Sequence, residues 1–598
     1  MKRITILSLT ILIGSVELVS CSDFLDADNK SAGTNADTYF ATAEGIAAAK
    51  AQAFYTLRSN AINYNMNCAG TDLYIPVRGK DPGGFQTYSL AANNSDVESF
   101  YSNCYDEIKY GMFYAEKAGE GTVGNNEGRF IRDYAYYQLT QQFGGVPYID
   151  HYVSDANRNY PKNSLDSIYT VMENDLESIY NSGLLPETDS KGNISKQAVA
   201  ALLAKYYLAD GWDANTTLKS AAAGTYTINS TDKFKKAAEW AVKAINGIKL
   251  TQNFEKKWSP SNEGNPEDIW SIQYDRASYP GDLTTGGHSL QNQFGDYYGD
   301  PTKTGYKAVG STGAMSEKAL YLWQKGDERY NATFMTKIYN YNGTWGTTGY
   351  YGYYNGDTTK LHLGLRFFPA YTTQAQAEAE FNANKDKYTK GSYNNQILAF
   401  ILSSPATEYT FKDDGSYTKQ TVTFDNLCLA VNGGACIKKF DDPNTQQQNS
   451  TTLDYRDIVI FDISDMYLTV AEAYLMAGDE SEALNYVNQV RSRANAGTLS
   501  SFSAYEPDYS ITTSFGSITP LDVILDERAR ELYGQQVRWV DLRRTKQLVR
   551  YNLAFNKNIS NINDMSNTSG EIKWLRPIPE QAINGNNALS NADQNPGY

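Results

Sequence analysis

Ala204-Lys205-Tyr206-Tyr207-Leu208-Ala209-Asp210-Gly211 and Ala471-Glu472-Ala473-Tyr474-Leu475-Met476-Ala477-Gly478 lie far apart in the chain. They share one pattern of small, aromatic, leucine and glycine positions. In each, apolar residues recur at helical spacing and a glycine follows where a helix would stop. Each is followed by a second helical stretch with small residues where neighbouring helices must approach closely. A helix–turn–helix unit of this kind cannot bury its own apolar face, so several must stack.

Small, aromatic and glycine positions in this order are the grammar of tetratricopeptide repeats. It predicts helix pairs near 44–119, 127–180, 197–248 and 464–495. Phe130, Tyr134 and Tyr137 fall on one face of a helix that Gly144-Gly145 and Pro147 terminate. Ser195 caps the helix that carries Val199, Leu202, Leu203 and Tyr206. Asp232 caps the next, with Phe234, Ala238, Ala241 and Ile245 on its face. Asp479 and Glu482 read as a capping box for a helix that buries Ala483, Val487 and Val490. Thr519, Pro520 and Asp522 open a later helix with Asp526 and Arg530 at i,i+4.

Between about 250 and 455 the helical period is lost, and Gly, Asn, Asp, Thr and Tyr are frequent. Ile269-Trp270-Ser271-Ile272 reads as a short strand. Tyr339 to Gly356 is rich in Tyr and Gly around Trp345. The predicted fold is mainly α: a tetratricopeptide-like helical-repeat scaffold of about four helix pairs, with an irregular, loop-rich inserted region. The predicted divisions are a signal segment 1–20, an N-terminal repeat region 21–250, a variable region 251–455, and a C-terminal region 456–598 with the last repeat.

The 598 residues hold 53 Lys plus Arg against 68 Asp plus Glu, a net charge of −15. Such acidity argues against nucleic acid, whose phosphates call for a basic face. With 3 histidines and no C-x-x-C pair, a zinc site or a His-based triad fits poorly, and no metal or cofactor is expected. Tyr outnumbers Phe, 47 to 23, which suits half-wet surfaces where a ring needs a polar handle.

Lys2 and Arg3 precede an apolar stretch, Ile4 to Gly14, too short to span a bilayer and read as a secretory signal. Leu18-Val19-Ser20-Cys21 then resembles the lipobox of bacterial lipoproteins, cleaved before a cysteine that takes lipid. Cys21 is therefore the expected anchor, and the rest of the chain has no apolar run long enough to cross a membrane. The other cysteines are Cys68, Cys104, Cys428 and Cys436. They allow two disulfides, with Cys428 and Cys436 a possible pair across Gly433-Gly434, or four buried thiols.

Four places resemble the SusD/RagB family of lipid-anchored nutrient-binding proteins. They are Cys21-Ser22-Asp23-Phe24-Leu25-Asp26; Glu127-Gly128-Arg129-Phe130-Ile131-Arg132 running to Phe143-Gly144-Gly145-Val146-Pro147; Glu527-Arg528-Ala529-Arg530-Glu531-Leu532-Tyr533-Gly534 with Arg538-Trp539-Val540-Asp541-Leu542-Arg543-Arg544; and Pro577-Ile578-Pro579 with Asn595-Pro596-Gly597-Tyr598. They follow family order from the lipobox to the end of the chain. Gly128 and Asp133 depart from the family, which more often has Ala there.

The resemblance implies an outer-membrane protein facing the cell exterior, which binds oligosaccharides and delivers them to a SusC-like TonB-dependent transporter. A peptide ligand is the alternative within the same architecture. A glycoside hydrolase is a remote one, since no carboxylate pair is marked. The resemblance places ligand contacts on the loop before the second helix of the first unit, Asp72, Tyr74, Arg78 and Tyr88. It places others in the variable region: Tyr279, Tyr297, Tyr298 and Trp323. The first group is preferred, because an acid and an arginine lie near aromatics. The Tyr339–Tyr354 loop is an outside candidate. Arg129, Arg132, Arg538, Asp541 and Arg543 are expected to be structural, as Arg–carboxylate forks pin helix ends.

Overall fold

The computed structural model describes residues 36–76, 83–274, 287–294, 312–341, 361–388, 396–412, 414–431, 434–442, 454–507 and 515–598. Its scaffold is the helices α1 (Ala43–Thr56), α2 (Ser95–Ala118), α3 (Val123–Phe143), α4 (Leu165–Asn181), α5 (Lys196–Ala214), α6 (Asp232–Ile245), α7 (Ile463–Ala477), α8 (Glu480–Arg493), α9 (Pro520–Glu531), α10 (Arg538–Arg544) and α11 (Leu548–Phe555). Each of α1 to α8 packs on the next, and α9 packs on α7 and α8. The four predicted pairs are α1/α2, α3/α4, α5/α6 and α7/α8. The last docks directly on the third although the whole insertion separates them in sequence.

The helices begin where side-chain acceptors satisfy free backbone N–H groups. Thr42, Asn94, Thr122, Ser164, Ser195, Asp462 and Asp479 each accept from the first turn. Thr519 and Asp522 form a reciprocal capping box with Pro520 at the first turn. Asp232 is not a cap. Thr231 holds that position without a side-chain bond, and Asp232 lies in the first turn, where its charge suits the positive helix end. Gly478 ends α7 in the left-handed region at φ 91°. Gly111 and Gly128 face each other where α2 crosses α3. A Cβ on Gly128 would stand 2.3 Å from the Gly111 carbonyl oxygen, so the close crossing excludes alanine there without a shift.

The inserted region contains a five-stranded sheet that the loss of helical period did not foretell. Its strands are β1 (Lys337–Tyr341), β2 (Leu361–Pro369), β3 (Gln396–Leu402), β4 (Ala406–Lys412) and β5 (Tyr417–Val422), in the order β5-β4-β3-β2-β1. Only β2 and β3 pair in parallel, with the helix Gln374–Tyr388 between them in the chain. Leu363, Phe368, Phe381, Ile397, Tyr409 and Phe411 belong to a core separate from the scaffold's. The predicted strand at Ile269–Ile272 forms within Asp268–Ile272. It pairs antiparallel with Ile458–Asp462, which leads into α7. The entry and exit of the insertion are thus tied side by side.

The family-mark arginines are paired, as expected, and all but the partly exposed Arg129 are buried. Arg129 and Arg132 both grip Asp175. Arg528 bonds Asp541 and Asp465 at 2.8 and 2.9 Å, and Arg544 bonds Glu472 at 2.7 Å. Arg543 reaches Gln141 at 2.7 Å. The expected Asp526–Arg530 pair is replaced: Arg530 takes Glu527 at 2.7 Å, while Asp526 turns to Lys318 at 3.0 Å. Cys428 and Cys436 are not joined. They and Cys68 and Cys104 are free, buried thiols, and burial raises the pKa of Cys68, Cys104 and Cys428.

Candidate functional site

An open, polar cleft of about 550 Å³ lies where the end of α1 meets the insertion. The buried face of α1 is a stripe of small residues, Gly45, Ala49, Ala53 and Thr56. Tyr55 falls off that stripe and is 49% exposed. One turn on, the Arg58 guanidinium lies 5.7 Å from the Tyr55 ring centroid and 4.4 Å from that of Tyr274. Its Nη2 donates to the Gln273 carbonyl at 2.7 Å, which fixes the fork between the two rings. The cleft floor therefore offers a held cation and an exposed ring side by side.

The walls carry amides and hydroxyls. Asn65 donates to Asp96 at 2.6 Å. Gln293 donates to Ser289 and accepts from Thr312, each at 3.0 Å. The Asn63 N–H donates to Gln536 at 2.5 Å, so α10's approach sets the position of this wall. Tyr274 is held from behind. Its N–H donates to Asp457 at 3.0 Å, and its ring packs edge-on against His288 at 4.6 Å. His288 Nε2 sits 2.7 Å from the Arg456 carbonyl and 2.9 Å from Asp454 Oδ1. Burial alone would lower the imidazole's pKa, but the Asp454 carboxylate outweighs it and the net direction is upward.

All four sequence-predicted ligand residues that the structure describes are core residues, which corrects their assignment. Asp72 is fully buried between Arg538, at 2.6 and 2.7 Å, and Lys318, at 2.8 Å. Burial opposes its charge, yet these two cations hold its carboxyl well below the usual range. Tyr74 packs with Phe294 and Tyr533 at 5.2 and 5.1 Å, and its hydroxyl accepts from the Gly534 N–H at 3.0 Å. That approach needs Gly534: its φ is +81°, and a Cβ would meet Ile437 at 2.7 Å. Tyr88 donates to the Gly70 carbonyl at 2.7 Å and is closed off by Asn552. Trp323 is 1% exposed among Tyr330, Phe334 and Tyr533. A ring or carboxylate enclosed in this way cannot reach a ligand.

Arg78, Tyr279, Tyr297 and Tyr298 lie outside the described residues, as do Cys21 and residues 342–354 of the Tyr339–Tyr354 loop. Tyr55 and Arg58 were not among the expected ligand residues, although the sequence places an aromatic and an arginine three apart at the end of a helix whose buried stripe is made of small residues. Among the described residues no group of His, Cys, Asp and Glu is placed to hold a metal ion, and no helix is long and apolar enough to cross a membrane.

The SusD family profile matches residues 150–598, and a second profile, described as starch-binding associating with outer membrane, matches residues 82–208. The chain belongs to the SusD family. It is 23% identical to SusD-like protein P2 of Formosa agariphila over 86% of this chain and 82% of that one. It superposes with a laminarin-binding SusD-like protein at a TM-score of 0.59 and 19% identity, covering 92% of this chain and 99% of the other. For surface glycan-binding protein A from Bacteroides thetaiotaomicron, solved with laminarihexaose, the TM-score is 0.58 at 17% identity, covering 93% and 100%. At these identities the structural likeness establishes the fold.

Proposed function

We propose that the chain binds oligosaccharides in the Tyr55–Arg58 cleft and passes them to a SusC-like TonB-dependent transporter. In this reading it faces the cell exterior from the outer membrane, held by lipid on Cys21. The observation that carries the ligand class is the exposed Tyr55 ring beside a fixed Arg58, ringed by amides and hydroxyls. A sugar presents C–H faces to such a ring and hydroxyls to such a rim, and it brings no charge to be matched. The laminarin-binding relative and the relative solved with laminarihexaose support the same class.

The segments that carry Tyr279, Tyr297 and Tyr298 adjoin cleft residues. Tyr274 precedes the first, and Gln293 and Thr312 bracket the second. We propose these tyrosines and Arg78 as further rim contacts. Binding proceeds without catalysis: glycoside hydrolysis needs two carboxyl groups across the bond, and Asp96 is the one acid on the described cleft wall.

Calorimetry of the mature soluble form against a glycan panel tests the reading. Tyr55→Ala should weaken binding by about 1–3 kcal/mol, by analogy with base–aromatic stacking. Unchanged affinity removes the cleft from the assignment. Peptide binding without sugar binding moves the ligand class to peptide, and release of product from a bound glycan overturns the binding-only reading.

A further inference from the structure

The first turn of α2 separates the cleft from a second depression. Asp96 lines the cleft and Glu98 lines the other side, as two residues on a 3.6-residue turn must. This groove encloses about 360 Å³ between α2, the 147–160 segment and the C-terminal stretch from Pro579 to Leu589. That size suits a small-ligand site.

Tyr101 and Tyr105 make one wall, with ring centroids 5.0 Å apart. The Tyr105 hydroxyl donates to the Pro147 carbonyl at 2.7 Å, which stops the ring from swinging away. Tyr160 also lines the groove, from a stretch without regular structure. It is nevertheless fixed by a residue far along the chain. Asn586 Oδ1 accepts the Tyr160 N–H at 3.1 Å, and Asn586 Nδ2 donates to the Tyr160 carbonyl at 2.7 Å. The exposed side chains of Arg158 and Gln581, at the rim, meet no partner among the described residues. The Tyr160 hydroxyl is likewise uncommitted there.

We infer that this groove is a second carbohydrate-contact site, which grips a neutral polysaccharide away from the Tyr55 cleft. Tyr105, held by its hydroxyl, and Tyr160, held by its backbone, are both partly exposed and offer ring surface at little entropic cost. The uncommitted rim groups donate and accept, and Arg158 faces no excess of charge because Glu98 lines the same groove. A hydroxylated ring polymer matches all three features. A long chain that touches both sites gains effective concentration at the second, so even a weak contact raises retention of polymer over oligomer. The inference rests on the carbohydrate reading of the protein but on none of the cleft's residues.

Affinity electrophoresis of the full mature chain through gels containing α-glucan, β-1,3-glucan, xyloglucan, xylan or mannan tests it. Tyr160→Ala, and separately the exposed double variant Arg158→Ala/Gln581→Ala, should weaken retention by the retarding polysaccharide about fivefold or more. Neither should alter calorimetric affinity for a short oligosaccharide that fills the cleft. The surface pair guards against misfolding as the cause. If both variants are retarded like wild type, the second site falls and the cleft stands. If they lose retention while Tyr55→Ala keeps it, the groove stands and the cleft falls. No retardation of the wild type by any polymer, or retention of a proline-rich peptide column through Tyr160 instead, overturns the inference.

Discussion

α9 buries Asp526, Glu527, Arg528, Arg530 and Glu531, whereas the inserted sheet and the helix Gln374–Tyr388 on it bury Leu363, Phe381, Ile397, Tyr409 and Phe411. In the scaffold, charge pairs decide which helices meet. Arg528 joins α9 to Asp465 on α7 and to Asp541 on α10. Arg491 on α8 reaches Glu527 at 3.1 Å, and Arg493 grips Glu531. In the sheet, rings do that work: Phe381 stacks on Phe411 at 3.7 Å with planes 10° apart. A fork of fixed geometry tolerates little change, while an apolar core accepts others of equal volume. The scaffold should therefore tolerate substitution less well than the core of the inserted sheet.

The largest expected difference between the two regions is their response to acid. Cations around them hold Asp72, Asp213, Asp462 and Glu527 below the ordinary carboxylate range, and Asp541 falls to about 2, although burial alone would raise each. A depressed folded pKa contributes stability above the unfolded value of about 4, and that stability is lost as pH falls through the folded value. Asp268 works in the opposite sense. Burial raises it to about 7, so its contribution fades as pH rises from about 4 to 7. Thermal melts should therefore drop steeply between about pH 4 and 2. Hydrogen exchange should show α7 to α10 opening before the sheet. Simultaneous loss of both regions would break the distinction.

Asp72→Ala comes next. It removes a carboxylate that bridges Arg538 and Lys318, all three side chains being buried. Leaving such charges uncompensated costs about 3–5 kcal/mol. Urea denaturation should report that loss. If stability holds and glycan affinity disappears, Asp72 is a ligand contact after all. Phe411→Ala should cost about 3 kcal/mol from cavity formation, the low end for a buried ring. The loss should be confined to exchange protection in β2 to β5, and α9 should be untouched.

How far these regions were legible follows from where their information sits. Gly478, Ser195 and Thr519 announce helix ends within a few residues, so the repeats could be read locally. The alternation in Ala406–Lys412 was equally local, with Tyr409 and Phe411 buried on one face and Thr410 between them on the other, but Gly- and Asn-rich flanks masked it. Tyr74 and Trp323 looked like loop aromatics because nothing near them in sequence shows that Tyr533 closes over both. Asp72 looked like a ligand acid because Arg538 lies 466 residues away. Burial by distant partners is a tertiary fact, and the local pattern has no access to it.

Tyr55 and Tyr74 sharpen this point with the smallest expected effect. They are separated by a short stretch after the end of the first helix, and only Tyr74 was expected to meet ligand. Tyr74 is 1% exposed, touches three other rings and receives the Gly534 N–H. Its loss should leave a cavity and cost about 3–5 kcal/mol of stability. Tyr55 has half its surface in water, and its described ring contact is the cation of Arg58. Its replacement by Ala should change the stability read from urea denaturation by no more than about 0.5 kcal/mol. The Tyr55 ring should then matter to ligand alone, and the Tyr74 ring to the fold alone. Circular dichroism melts of Tyr55→Ala and Tyr74→Phe, each run beside calorimetry with one glycan, separate the two. Tyr74→Phe keeps the ring and removes only the acceptor for Gly534, so it should weaken stability by about 1 kcal/mol without touching affinity. A large stability loss in Tyr55→Ala would mean that the exposed ring is part of the packing, and that the cleft has been misread.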